Sequence, residues 1–161
     1  MNVREYNHCV EQYANPVYRF ILKNMRDEER AQDVVQESFT RMWERVSDIS
    51  YEKAKSYLFT TAYHTMIDTL RKDKRQTALE DAHLNRDTVE HGYNDLHEVL
   101  SEAVARLPEI QRSVLMLRDY EGYSYEEIGE ITGLNESQVK VYIFRARTAL
   151  KKYIVSLDRV I

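Results

Sequence analysis

The stretch GYSYEEIGEITGLNESQVKVYIFRARTALKK, residues 122–152, decides how the chain is read. Ser124 followed by Glu127 is a capping-box pattern, in which the hydroxyl accepts from the third backbone N–H of a helix while the glutamate reaches back. The pattern predicts a helix through Ile128 to Ile131 that Gly133 ends. Asn135 with Gln138 repeats the device and opens a second helix to about Tyr153, across a turn short enough to force a sharp angle. This is a helix-turn-helix pattern. On the second helix Val139, Ile143, Ala146, Leu150 and Tyr153 recur at spacings of 4, 3, 4 and 3, one stripe to be buried. The opposite face carries Gln138, Val141, Arg145 and Lys152, flanked by Ser137, Lys140, Phe144, Arg147 and Lys151.

That face is cationic in an acidic protein. The formal net charge is −4, yet residues 138–152 hold Lys140, Arg145, Arg147, Lys151 and Lys152 and no carboxylate. The acidic total therefore hides a local cationic footprint suited to DNA. A basic helix can also be a solvated face whose cations favour the negative end of the helix dipole. Two consecutive capping boxes around a glycine-containing turn favour the DNA-binding reading.

Outward from this stretch the rest of the chain reads as helix. Of 161 residues only four are Gly and two are Pro, 31% are charged, and no long alternation of apolar residues points to strands. An all-α fold is expected. Apolar residues recur at helical spacing at Tyr13, Val17, Phe20 and Ile21, at Val34, Val35, Phe39 and Trp43 with Met42, and at Tyr57, Leu58, Ala62 and Ile67. Together these predict a bundle of three or four helices. Residues 74–94, KRQTALEDAHLNRDTVEHGYN, are polar with only scattered apolar groups and read as a flexible linker. A second pattern starts at Leu96 with Val99, Leu100, Val104 and Leu107 and continues after Pro108 as Val114, Leu115 and Leu117. Two small helical domains, 1–73 and 95–161, are expected on either side of the linker, each only modestly stable alone.

Several classes of function are disfavoured. No apolar run approaches the twenty or so residues needed to span a bilayer, and MNVREYNHCVEQY has no apolar signal core, so no membrane insertion and a cytoplasmic location are expected. Cys9 stands alone, which fits a reducing compartment and a packing role. There is no phosphate-cradling glycine loop, and His83, His91 and His97 are not at metal-ligand spacing on one helix. Neither catalysis, a metal nor a cofactor is expected.

LPEIQRSVLMLRDYEGYSYEEIGEITGLNESQVKVYIFRARTALKK resembles region 4 of the sigma-70 family of bacterial RNA polymerase specificity factors, and AQDVVQESFTRMWERV with SYLFTTAYHTMIDTLRKDKR resembles region 2. Region 2 joined to region 4 by a polar linker, with no other region, is similar to the extracytoplasmic-function (ECF) group. The resemblance implies a sigma factor that directs core polymerase to promoters and helps open them. Its implied partners are core RNA polymerase (clamp coiled-coil and flap), promoter DNA and, as often in the family, an anti-sigma protein.

The resemblance also assigns roles. Asp33, Gln36 and Glu37 match the polymerase-docking positions, and their spacings of three and four put them on one face while Val34, Val35 and Phe39 point inward. His64, Asp68, Arg71, Lys72, Lys74 and Arg75 match the segment that captures the −10 element, with a cationic end suited to phosphates. Tyr57, Phe59 and Tyr63 could offer faces to unstacked bases, although an aromatic at helical spacing is more often packing, and Tyr57 and Tyr63 are expected to be at least partly buried. The family often has Asn where His64 stands and Trp where Tyr57 stands, so the preferred −10 bases do not carry over. Asp48 to Tyr51 match the loop that holds a flipped base. The −35 duplex falls to Ser137, Gln138, Lys140, Val141, Phe144 and Arg145. A plain transcriptional regulator, or an adaptor that binds only proteins, is the competing class; a regulator has no use for RKDKR or for the DVVQESF helix.

Overall fold

The computed structural model describes residues 1–79 and 96–160. Among these residues there are α-helices α1 (Val3–Met25), α2 (Glu28–Glu44), α3 (Ala54–Leu79), α4 (Leu96–Ala105), α5 (Glu109–Asp119), α6 (Tyr125–Thr132) and α7 (Glu136–Val160), a 3-10 turn at Tyr51–Lys53, and no strand. The all-α expectation holds.

Local chemistry sets the helix ends. Asn2 and Glu5 form a capping box at the start of α1, and Arg26 ends that helix in the left-handed conformation at φ 56°, its N–H bonded to the Leu22 carbonyl. Asp27 caps α2, accepting from the Arg30 N–H, and Glu28 and Glu29 lie in the first turn where the helix dipole favours anions. Pro108, whose fixed φ suits a helix start, opens α5.

Helices α1, α2 and α3 pack mutually, as the N-terminal periodicity predicts, and α4, α5 and α6 pack around α7. Phe20, Ile21, Met42, Leu58, Phe59 and Met66 are among the largest fully buried side chains of the first group, and Met116, Leu117, Ile128, Ile131 and Ile143 of the second. Each such burial contributes roughly 1.5–3 kcal/mol. An exposed ion pair such as Glu37–Arg41 contributes about 0–1 kcal/mol, so the apolar stripes, not the surface charges, hold the helices together. Cys9 is fully buried and fills space, as expected.

Two expectations are corrected. Trp43 does not point inward: Met42 is the buried residue and Trp43 is 46% exposed, its ring touching only the edge of Tyr6 among the aromatic contacts. The linker does not begin at residue 74, because α3 continues to Leu79. Arg30 of α2 pairs with Asp73, which anchors the helix at that point, and the Lys, Arg and Gln that follow are good helix formers. Residues 80–94 of the predicted linker, with His83 and His91, lie outside the described residues. The two domains are those expected, and they touch one another. Helix α1 packs on α5 and α3 on α6, and the buried apolar cluster runs through both groups.

Candidate nucleic-acid interface

The helix-turn-helix is built as its caps predict. The Ser124 hydroxyl accepts from the Glu127 N–H at 3.1 Å and the Glu127 carboxylate accepts from the Ser124 N–H at 3.0 Å. The Ser124 backbone N–H donating to the carboxylate, with the Ser124 hydroxyl next in effect, holds the Glu127 carboxyl below its usual range. Asn135 and Gln138 close the second box at 2.8 and 3.0 Å, with the Gln138 carboxamide oxygen accepting from the Asn135 N–H. Between them Gly133 adopts φ 80°, a left-handed conformation that a side chain would strain.

This geometry presents one face of α7 to solvent. Val139, Ile143 and Ala146 are buried, with Leu150 and Tyr153 half-buried behind them. Ser137, Gln138, Lys140, Val141, Phe144 and Arg145 are all exposed, Val141 by 45% and Phe144 by 70%. An aromatic ring so exposed is costly in water and fits contact with a thymine methyl or a sugar face. Lys140 pairs with Glu136 at 3.5 Å, one turn earlier, and Arg145 lies over the Tyr142 ring. The cations of this helix are not equivalent. Arg147 donates to Asp119 of α5 at 2.7 Å and braces two helices, a role the sequence did not reveal.

Along α3 the −10 candidates form a second exposed face. His64, Asp68, Arg71, Lys72, Lys74 and Arg75 are exposed, and 64, 68, 71 or 72 and 75 follow one stripe of the helix. The aromatics beside them are mostly core: Tyr63 is 5% and Phe59 0% exposed, and Tyr57 is half-buried. Burial pushes the Tyr63 phenol up to about 12, so it stays neutral at any working pH. Phe59 is packed between Phe20 and Tyr123 and offers no face to a base. In the loop before α3, Asp48 is exposed and Tyr51 half-buried.

On α2, Asp33, Gln36 and Glu37 are exposed while Val34 and Phe39 are buried, and Glu37 engages Arg41 at 2.8 Å. Sequence reasoning missed Trp43 here. It follows Gln36 and Thr40 on the same helical stripe, so an exposed aromatic closes the polar face. The signal was present in the spacing, since Ala31, Val34, Ser38 and Met42 define the centre of the buried stripe and Trp43 falls beyond its edge.

Residues 9–76 match the family described as Sigma-70 region 2, and residues 97–150 match Sigma-70, region 4. The ECF RNA polymerase sigma factor SigM of Bacillus subtilis is 32% identical over 146 residues, covering 88% of this chain and 90% of its own. The RNA polymerase sigma factor SigV of the same organism is 30% identical over 155 residues, covering 93% and 91%. Among solved structures the fold is similar to the sigma factor RpoE of Bartonella quintana, in complex with the anti-sigma factor NepR. That likeness has a TM-score of 0.81 at 22% identity, over 94% of this chain and 98% of the other. CnrH in complex with the cytosolic domain of CnrY is similar at a TM-score of 0.69 and 19% identity, over 96% and 90%.

Proposed function

The chain belongs to the sigma-70 family of RNA polymerase sigma factors, in its ECF group, and directs core RNA polymerase to promoters at transcription initiation; we propose how its surfaces divide that task. A sigma factor is an initiation factor, and the chemistry of RNA synthesis belongs to the polymerase.

Residues 1–73, extended to the end of α3, dock on the polymerase clamp and capture the −10 strand. Residues 95–161 read the −35 duplex and meet the flap, and 74–94, less the helical part, connect the two. Docking uses Asp33, Gln36 and Glu37, with Trp43 as an apolar anchor at the end of the same face. Arg71, Lys72, Lys74 and Arg75 hold the strand by its phosphates while His64 and Asp68 meet base edges. Ser137, Gln138, Lys140, Val141, Phe144 and Arg145 enter the major groove. The protein acts in the cytoplasm, where an anti-sigma protein holds it, as the solved relatives are held by NepR and CnrY.

The observation that carries this reading is the exposure of Val141 and Phe144 between Lys140 and Arg145 on a helix whose other face is sealed. Transcription by core polymerase and this protein from a random promoter library tests it. Enrichment of paired −10 and −35 sequences is expected. Enrichment unchanged by mutation of the α7 face would overturn the assignment.

A further inference from the structure

Between the end of α1 and helices α4 and α5 lies a cavity of about 310 Å³ that the surfaces described above do not use. Its apolar members, Leu22, Val104 and Ala105, are buried or half-buried. Lys23 and Arg26 reach it from the end of α1 and Glu28 from the first turn of α2, while Ser101 of α4 lies exposed at its rim.

The charges around this cavity do not cancel one another. Among the described residues no ion pair includes Lys23 or Glu28, and Arg26 makes only a loose one, with Glu102 at 3.6 Å. The Lys23 ammonium rests instead 4.0 Å from the centre of the Tyr120 ring, on a half-buried side chain. Burial holds it below its ordinary pKa, with Arg19 adding to the effect, and Glu121, which opposes it, is taken by Arg19 at 2.9 Å. A charge beside apolar surface is costly unless it is paired. A simple anion could pair with Lys23 and Arg26 but would face Glu28, and a simple cation would face the two basic groups. A zwitterion answers both. The carbonyl ends of α1 and α5, which meet at this cavity through Arg26 and Tyr120, favour its cationic end.

We propose that this cavity binds an apolar α-amino acid, its carboxylate held by Lys23 and Arg26, its ammonium by Glu28 and its side chain against Leu22, Val104 and Ala105. Small-molecule sites run from about 300 to 1,000 Å³, with an apolar lining and a few placed polar groups, so this one takes a single amino acid and not a peptide. Its lining shares no residue with the faces assigned to polymerase and promoter, and the inference does not rest on the sigma-factor reading.

Isothermal titration calorimetry of the full-length protein with L-phenylalanine tests this, beside phenylpropionate, which lacks the ammonium, and phenethylamine, which lacks the carboxylate. L-phenylalanine should bind with a Kd on the order of 100 µM, as its size allows, and each truncated compound about tenfold or more weakly. L-leucine, which suits the same aliphatic wall, should bind within about tenfold of L-phenylalanine. Glu28→Gln should weaken the amino acid about tenfold and leave phenylpropionate unchanged, whereas Lys23→Met should weaken both and leave phenethylamine unchanged. Ser101→Trp, at the exposed rim, should fill the cavity and abolish binding of all four compounds with the melting curve of the parent. The comparison of compounds needs no variant, so it stands even where a substitution disturbs the fold. Failure of both amino acids to bind overturns the proposal. So does phenylpropionate binding as tightly as L-phenylalanine, or binding that survives Glu28→Gln and Ser101→Trp undiminished.

Discussion

Gly129 in α6 lies so close to Leu134 that a Cβ on it would stand 2.7 Å from the Leu134 carbonyl oxygen. The obstacle is backbone, not the end of a flexible side chain, so the tight turn between α6 and α7 requires hydrogen at this position. Gly129→Ala would normally favour a helix, by about 1 kcal/mol. Here overpacking against the turn should outweigh that gain and destabilise the protein by roughly 1–3 kcal/mol. Thermal unfolding checks it, and a higher melting temperature would show that the turn can yield.

Arg145 and Arg147 are two residues apart and should fail differently. Arg145→Ala removes an outward donor from the reading face and should cost about 1–3 kcal/mol in promoter binding with the melting curve unchanged. Arg147→Ala breaks the pair with Asp119 and should cost about 0.2–1 kcal/mol of stability, with a smaller effect on DNA. Fluorescence anisotropy with a −35 duplex, beside thermal melts, separates the two. Equal loss of binding in both variants would contradict the assignment.

Docking on polymerase should be sensitive to Gln36→Ala combined with Glu37→Ala, through loss of roughly 1–3 kcal/mol of hydrogen bonding to charged partners. Trp43→Ala should weaken it by a similar amount, since a partly exposed Trp at the end of a polar face is the residue type that dominates interfaces. Competition with the parent for core polymerase provides the reading. Undiminished competition by all three substitutions together would place the docking face elsewhere.

The Glu127 carboxyl is held below its usual range by its bonds to Ser124, so the folded state binds a proton there less readily than the unfolded state. Its contribution is fully present above the unfolded value of about 4.3 and is lost as pH falls through the lower folded value. Glu127→Gln keeps the capping geometry without the titration. It should be less stable than the parent at neutral pH, and the difference should shrink in the acid range. Denaturant unfolding at pH 7 and pH 3.5 measures this, and a gap that widens in acid would reverse the sign.

The all-α class and the helix-turn-helix were legible because caps, glycine and periodicity agree over residues 122–152, and local rules decide such elements. The exposure of Asp33, Gln36 and Glu37 followed from helical spacing for the same reason. Trp43 was misplaced because hydrophobicity outweighed geometry: Ala31, Val34, Ser38 and Met42 line the centre of the buried stripe, and Trp43 falls beyond its edge. The end of α3 at Leu79 was not legible, because the pair between Arg30 and Asp73 joins residues distant in sequence. The contact between Asn24 and α5 was hidden in the same way. A lone Asn late in a helix signals nothing until Arg112 and Ser113 are brought to it.

The second capping box bears on what the protein can say to a base pair. Because the Gln138 oxygen already accepts from the Asn135 N–H, the side chain keeps one lone pair beside its two amide hydrogens for DNA. Lys140 and Arg145 have no acceptors at all, and Val141 and Phe144 are apolar. Of the proposed readers, only Ser137 and the remaining lone pair of Gln138 can still accept a hydrogen bond. The vocabulary of this face is one-sided: it can address the acceptors of guanine and adenine and the methyl of thymine, and it has almost no means of greeting the amino group of cytosine. A −35 element chosen by it should therefore be specified on the strand that faces α7 by purines and thymine, with cytosine tolerated mainly where no side chain reaches.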